Sequence, residues 1–520
     1  MTGREEAYDG IVAERVPAAG WRSAIEGALR DRARAVSLHA SGHDVRVALV
    51  ESTGRERIVS CDTGAGEVPT LVDLVPALGW DEREAHDLAG VRFAGHEPLR
   101  PLVDHDLRLE TWTVPVGGRG PYQIAVGPIH AGVIESGHFR FQVVGERILH
   151  LDPRLFYKHR GLERAAEGET LAGGLRYAQR ACAACAVANS VVYSTACERA
   201  SGLWPNRALR DIRTVLLELE RLYNHLHDIG QVCAGVGFAA GTMAFLSLKE
   251  RAQRLNERLT GHRFLFGTVA VAGSPVRIDR DARQEARRDL RLIGETAATA
   301  WREILFNGSV QDRLGGIGVV RPATARSLGT RGPAVRASGI GEDARTESPR
   351  LSYEGFDPAA PERPSGDVRA RLELRSLELG PTLAILDELL GRPGDGASAE
   401  PRSGPSELGL GRVESPRGET VCVVEHDEGT LTRLRLRTGS YANWPSVAHA
   451  APDELLPEFP LINKSFELCY ACADRSRSGS CSFASCSTSV ARSRRTGRGR
   501  ADRSRCATST LARATGASTS

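Results

Sequence analysis

Hydrophobic positions along the chain change period several times, and each change marks an element. Val45-Arg46-Val47-Ala48-Leu49-Val50 alternates as a strand does, and Ala24 to Leu38 has the spacing of a helix. In the next segment Asp81 and Glu84 suit a helix first turn, Gly90 suits its stop, and Val91 and Phe93 suit a short strand. Its charges make it read as a surface helix running into a loop. Phe139, Phe141 and Val143 alternate with Arg140 and Gln142, and Gly145-Glu146 suits a hairpin turn into residues 147–151. The period then lengthens. Over 207–228, Leu209, Ile212, Leu216, Leu219, Leu222 or Tyr223, and Leu226 share one helix face, with Glu218, Glu220 and Arg221 on the other side. Residues 244–260 and 283–304 also read as helices. Residues 391–405 form a Gly/Pro/Ser-rich loop and 411–424 a β-like segment; no internal repeat is visible. The expected fold is an α+β domain over 1–110, then a mainly α large domain over 120–475, a long helix bundle with a small β-hairpin region.

Charge sharpens this picture. The 520 residues carry a formal +3, but residues 476–520 hold nine Arg and one Asp, leaving 1–475 at −5. The mildly acidic body gives no electrostatic case for nucleic acid. The tail, rich in Ser and Arg and poor in large apolar residues, is expected to be disordered, and to be either a removable extension or an out-of-frame reading. Its Cys481, Cys486 and Cys506 have no ligand spacing. The charged N-terminus has no apolar signal region, which points to the cytoplasm. The longest uncharged run, Ile229 to Leu248, is broken by Gly230, Gly235, Gly237 and Gly241 and reads as buried core, not as a membrane span.

Two Cys-x-x-Cys pairs carry the candidate chemistry: Cys182-Ala183-Ala184-Cys185 and Cys469-Tyr470-Ala471-Cys472. Residues i and i+3 on a helical turn point the same way, so each pair can chelate. Four thiolates suit zinc, an iron–sulfur cluster, or nickel in a sulfur-rich field. Cys185 and Cys469 stand 284 positions apart, far beyond the spacing of a compact zinc ribbon. Spacing alone leaves two readings: one shared metal site, or unrelated buried or redox cysteines.

Longer motifs add a resemblance. Trp80-x-Glu82-Arg83-Glu84-x-x-Asp87-x-x-Gly90-Val91-x-Phe93-x-Gly95-His96 resembles the signature of the C-type subunit of complex I, the NADH–quinone oxidoreductase, a non-catalytic docking domain. Residues 120–475 resemble the large subunit of group 4 [NiFe] hydrogenases, the complex-I-related kind found in formate hydrogenlyase. The resemblance rests on Gly127-Pro128-x-His130 through Phe141, on Tyr157-Lys158-His159-Arg160-Gly161-x-Glu163, and on the two cysteine pairs. It also rests on Leu219-Glu220-Arg221-Leu222-Tyr223-Asn224-His225-Leu226, Arg254-Leu255-Asn256-Glu257, and Ser415-Pro416-Arg417-Gly418-Glu419.

The resemblance implies that Cys182 and Cys469 are terminal nickel ligands and that Cys185 and Cys472 bridge to an iron with diatomic ligands. It makes Glu135 a proton relay, Glu163 a ligand of a nearby magnesium-type (Mg or Fe) site, and Arg417, beside Pro416, the arginine over the open metal position. Without it, Glu135 and Arg417 read as loop residues. The chain departs from the family at Ala183, where glycine is usual, at Asn189, where the family has a histidine four residues past the cysteine, and at Glu467-Leu468, where it has Asp-Pro.

The implied partners are a small subunit with a [4Fe–4S] cluster, membrane subunits, nickel chaperones and a maturation protease cutting after Arg475. The chain would carry no Fe–S cluster of its own and would lie on the cytoplasmic face of the inner membrane. Two other readings compete: a nickel-free complex I C/D-type subunit at a quinone site, and a non-catalytic scaffold.

Overall fold

Near the N-terminus the strands β1 (Val12–Val16), β2 (Arg34–Ser41), β3 (Asp44–Val50) and β4 (Glu56–Asp62) form one sheet in the order β1-β4-β3-β2, with only the β1–β4 pair parallel. The computed structural model describes residues 11–475 apart from 65–66, 104–110, 131–134, 363 and 393–395. The basic tail, with Cys481, Cys486 and Cys506, lies outside the described residues, as does the middle of the 127–141 motif.

Helix α1 (Ala18–Arg30) covers the sheet through Trp21, Ile25 and Ala28. The helix expected to run to Leu38 ends here instead. Arg32 takes a left-handed conformation (φ 64°), and the following residues enter β2. The misreading has a physical cause. β2 is buried on both faces, so its apolar run shows no alternation. Leu38 faces the α1 core, whereas Val36 joins Ala48, Val50 and Ile58 in a seam against Leu410, Val421 and Val423. The N-terminal sheet is thereby fastened to the large region, and both belong to one compact unit.

Helix α2 (Gly79–Ala89) ends as expected at Gly90, whose φ of 73° suits a glycine stop. It is not a surface helix. Asp81, Glu82 and Glu84 are all buried. Glu82 accepts hydrogen bonds from Thr70 Oγ1 and the Leu71 N–H, both at 2.7 Å, while Asp81 and Glu84 take arginines from the far end of the chain.

The large region holds more sheet than a single hairpin. Strands β5 (Tyr122–Val126), β6 (His138–Val144) and β7 (Arg147–Arg154) make one antiparallel meander, with the expected turn at Gly145-Glu146. Strands β8 (Leu408–Ser415), β9 (Gly418–Asp427) and β10 (Thr430–Arg437) make a second. Between them run α3 (Leu162–Ala166), α4 (Leu171–Gln179), α5 (Ala186–Ala200), α6 (Arg207–Gly235), α7 (Ala239–Thr260), α8 (Arg280–Leu305) and α9 (Val368–Leu390); α10 (Gly439–Ala450) and α11 (Phe459–Phe466) follow β10.

Helix α6 is the axis of the bundle and packs on α7, α9 and α11. Asn206 caps its start by accepting from the Leu209 N–H at 2.9 Å. Its expected polar side does not face water: Glu218, Glu220 and Arg221 are wholly buried. The uncharged run 229–248 folds as two helices separated by a turn at Gly237, and no helix among the described residues is long and apolar enough to cross a membrane.

Helix α5 lies directly on β8. A Cβ at Gly409 would stand 1.9 Å from the Ala196 carbonyl oxygen, and one at Gly411 would stand 2.2 Å from that of Val192. Only glycine allows this approach. We predict that Gly411→Ala forces the helix off the sheet and lowers stability by about 1–3 kcal/mol or more in denaturant unfolding. Gly341→Ala, where an added Cβ meets nothing within 4 Å, is the control and shifts the midpoint little.

Candidate metal centre

The first cysteine pair sits in the loop between α4 and α5. Thr170 caps α4, and Cys185 occupies the position just before α5, a helix buried along its whole length. Alanines at 181, 183, 184, 186 and 188 keep this segment slim; Ala181, Ala186 and Ala188 are buried, Ala184 is half-buried and Ala183 is exposed. The second pair follows α11. Glu467 stops that helix in a left-handed conformation (φ 51°), and residues 471–473 make one 3-10 turn. The four sulfur atoms all lie within 4.8 Å of one another. Cys182, Cys185 and Cys472 are buried and Cys469 is partly exposed. The two ends of the large region thus meet at one point.

Neither loop sets that meeting by itself. Three residues on one face of α6 hold the first loop by its backbone. Glu220 accepts from the N–H groups of Val187 (2.7 Å) and Ala188 (3.0 Å), Tyr223 donates to the Ala183 carbonyl (3.2 Å), and Asn224 Nδ2 donates to the Ala184 carbonyl (2.8 Å). Positions i, i+3 and i+4 point together, which explains the spacing. The second loop is held at the Cys469 N–H by Ser440 Oγ (3.0 Å), at the Cys472 carbonyl by Thr438 Oγ1 (3.3 Å), and at the Ala471 N–H by Glu135 Oε2 (2.7 Å).

Arg160 ties both loops together. Its Nη1 donates to the Arg180 carbonyl, and its Nη2 donates to the carbonyls of Ala181 and Ala471, each at 2.9 Å. Asp474 accepts from the backbone N–H groups of His159 and Arg160 and from Arg160 Nε.

Of the residues singled out from the sequence, Glu135 reaches the second loop, and its Oε1 lies 3.7 Å from Lys158 Nζ. Arg417 sits in the tight turn between β8 and β9, beside a buried Pro416. Its Nη2 donates to Asn224 Oδ1 at 3.0 Å and its Nη1 pairs with Asp228. Asn224 therefore links the first cysteine loop to Arg417. Burial would lower the Arg417 pKa, but the charges of Asp228 and Cys469 outweigh it and keep the guanidinium protonated. Asn189, one turn into α5, is fully buried, and neither end of its amide has a hydrogen-bond partner among the described residues.

Glu163 is placed differently. Its Oε1 accepts from the Leu436 N–H at 2.8 Å and faces Arg475 at 3.4 Å and Arg435 at 3.7 Å; Arg433 stands 3.9 Å from Oε2. Glu84 shares this cluster. Burial would push its carboxyl up, but Arg435 and Arg475 override that and hold it at about 2. Glu84 Oε2 and Glu163 Oε2 make no hydrogen bond among the described residues, but the arginines around both carboxylates already supply the positive charge a hard divalent cation would bring, so these residues do not fit the magnesium-type site expected at Glu163.

The thiols divide the charge. Hydrogen bonds from the other three cysteines hold the Cys469 pKa well down, with Arg417 assisting, whereas the contacts with Cys182 and Cys469 raise both Cys185 and Cys472. Soft donors at this spacing suit nickel, iron or zinc.

The chain as a whole is similar to known proteins of two related kinds. The family model for the 30 kDa subunit of respiratory-chain NADH dehydrogenase matches residues 28–115, and that for the 49 kDa subunit matches residues 235–405. Formate hydrogenlyase subunit 5 of Escherichia coli (strain K12) is 32% identical over 80% of this chain and 78% of its own length; hydrogenase-4 component G of the same strain is 32% identical over 80% and 77%. The chain belongs to the group 4 hydrogenase large-subunit family. The C/D subunit of the NADH-quinone oxidoreductase of Cereibacter sphaeroides is 26% identical over 74% of this chain and 78% of its own length. A chain in the structure of the membrane-bound sulfane sulfur reductase, an archaeal respiratory membrane complex, superposes with a TM-score of 0.63 at 25% identity, covering 70% of this chain and all of that one. This hydrogenase-family chain is therefore an oxidoreductase subunit with a fused C/D-type arrangement.

Sequence reading assigned no role to Arg160, Glu220, Tyr223, Asn224, Asp228, Thr438 or Ser440, although four of them lie in the motifs that carry the resemblance. The available signal was the i, i+3, i+4 spacing of Glu220, Tyr223 and Asn224 on a helix.

Arg160→Lys cannot span three carbonyls, so we predict that affinity for cobalt(II), read from thiolate charge-transfer absorbance, falls about 10–100-fold with unchanged far-UV circular dichroism. Because Cys185 and Cys472 are held protonated at neutral pH, loading a thiolate-bound metal releases at least about two protons; calorimetry in buffers of different ionisation enthalpy measures this. The apparent affinity then rises with pH.

Proposed function

We propose that this chain is the large subunit of a membrane-associated [NiFe] hydrogenase, with Cys182, Cys185, Cys469 and Cys472 holding a nickel–iron centre. The observation that carries the proposal is the convergence of four sulfurs from opposite ends of the large region within 4.8 Å. The residues fit such a group. Four soft donors meet at one point, three of them buried and Cys469 partly exposed, and a buried amide without a partner, that of Asn189, lies one turn from Cys185 and is free to donate to a sulfur.

When bound, the centre supplies heterolytic H2 cleavage or formation and the accompanying electron exchange. The chain's own residues do the rest. Glu135 has Oε2 on the Ala471 N–H, between the two cysteines of the pair, and its carboxylate is partly exposed, so it takes a proton at the loop and passes it outward past Lys158. Arg417, fixed by Asp228 and Asn224, holds a permanent positive charge toward Cys469. Electrons leave through an Fe–S small subunit, and membrane subunits hold the assembly at the cytoplasmic face of the membrane. Insertion of the metals involves nickel chaperones and a protease that cuts after Arg475.

Metal analysis of the purified complex, combined with H2-dependent dye reduction, tests this. The expected result is about one nickel per chain, with iron in excess of nickel because the Fe–S partner adds its own, and dye reduction falling to background in Cys469→Ser. Zinc alone, or iron without nickel, contradicts the proposal.

A further inference from the structure

We infer that the cation at Glu163 is the chain's own Arg475 guanidinium, that the chain takes no divalent ion there, and that this arginine anchors the second cysteine loop to the N-terminal region. Four oxygens converge as they would around a hard cation: Glu84 Oε1, Glu163 Oε1 and the carbonyls of Leu436 and Asp474. All four already face one guanidinium. Arg475 Nε lies 3.0 Å from Glu84, Nη2 lies 2.9 Å from the Leu436 oxygen and 3.4 Å from Glu163, and Nη1 lies 2.8 Å from the Asp474 oxygen. Every guanidinium nitrogen is engaged, and Arg475 is buried at 5% exposure.

The local charge is also complete. Asp81, Glu84, Glu163 and Glu167 pair with Arg433, Arg435, Arg437 and Arg475, four negative against four positive. A divalent ion placed among them would meet like charge at short range without a carboxylate to balance it.

The members come from separated elements: Glu84 from α2, Glu163 from α3, Leu436 from β10. Arg475 is three residues past Cys472, so its anchorage bears directly on where that sulfur sits. A planar, permanently charged fork can hold two carboxylates and two carbonyls at once. The cation assignment stands on these contacts alone; only its bearing on the metal centre rests on the proposed function.

The test uses the full chain in its complex, gel-filtered into metal-free buffer. The expected wild type holds less than about a tenth of a magnesium, manganese or calcium ion per chain, and its unfolding temperature is unmoved by EDTA or millimolar Mg2+. A near-stoichiometric divalent ion, or a fall with EDTA, overturns the inference. Arg475→Met and Glu163→Gln should each lower the unfolding temperature by several degrees, and the double variant by clearly less than their sum. Additive losses overturn it. Should Arg475→Met fail to fold, Glu163→Gln decides: its loss must be the same with and without EDTA, and a loss seen only without EDTA refutes the assignment. Nickel measured on the same samples reports separately on the hydrogenase reading, because a chain lacking both nickel and divalent ion contradicts that reading and leaves this one intact.

Discussion

The guanidinium of Arg160 holds two loops together that lie nearly three hundred residues apart in sequence. Neither cysteine pair lies in an α-helix or a strand, so no such register fixes the distance between pairs. Arg160 supplies that distance by donating to carbonyls on both sides, Arg180 and Ala181 on one and Ala471 on the other. Buried carbonyls require donors, and a charged donor makes the stronger bond. Asp474 locks the same arginine through its backbone and Nε. The brackets from α6 and from the α10 cap then orient each loop around this tie.

The same logic runs through the interior. From Arg213 to Leu226 helix α6 is buried all round, so its charged residues there pair inside the bundle. Glu218 accepts from Arg221, Tyr353 and Thr382; His225 and Arg336 meet on Glu378. Burying ion pairs is costly unless every lone pair and proton is matched, and replacing them with apolar packing can be neutral or stabilising. Here they do positional work. Asp228 is shared by Arg375 and Arg417, which pins Arg417 beside the cysteines from behind. A fixed positive charge next to a thiolate needs such a counter-charge to remain fixed.

Much of this was legible from residues alone. The β6–β7 hairpin, the α2 stop at Gly90 and the long helix α6 follow from local periodicity and turn chemistry. The two cysteine pairs announced a metal-binding capacity but not their meeting, because convergence across the large region depends on tertiary brackets. Where reading by charge failed, it failed for one reason. On α2 and at Glu163, acidic residues were taken to seek water or a metal, whereas arginines from distant elements reach them; on α6, Glu218 meets Arg221, Tyr353 and Thr382, and Glu220 takes two backbone N–H groups. β2 failed for the complementary reason: burial on both faces erased its alternation. Long-range pairing of this kind leaves no local period to detect.

The central claim is that sulfurs from both ends of the large region bind one metal. Nickel K-edge X-ray absorption of the purified complex tests it most directly. The account predicts a first shell dominated by sulfur that loses sulfur in Cys182→Ser and in Cys469→Ser alike. A nitrogen and oxygen shell, or a sulfur shell that only one of the two substitutions alters, would contradict it.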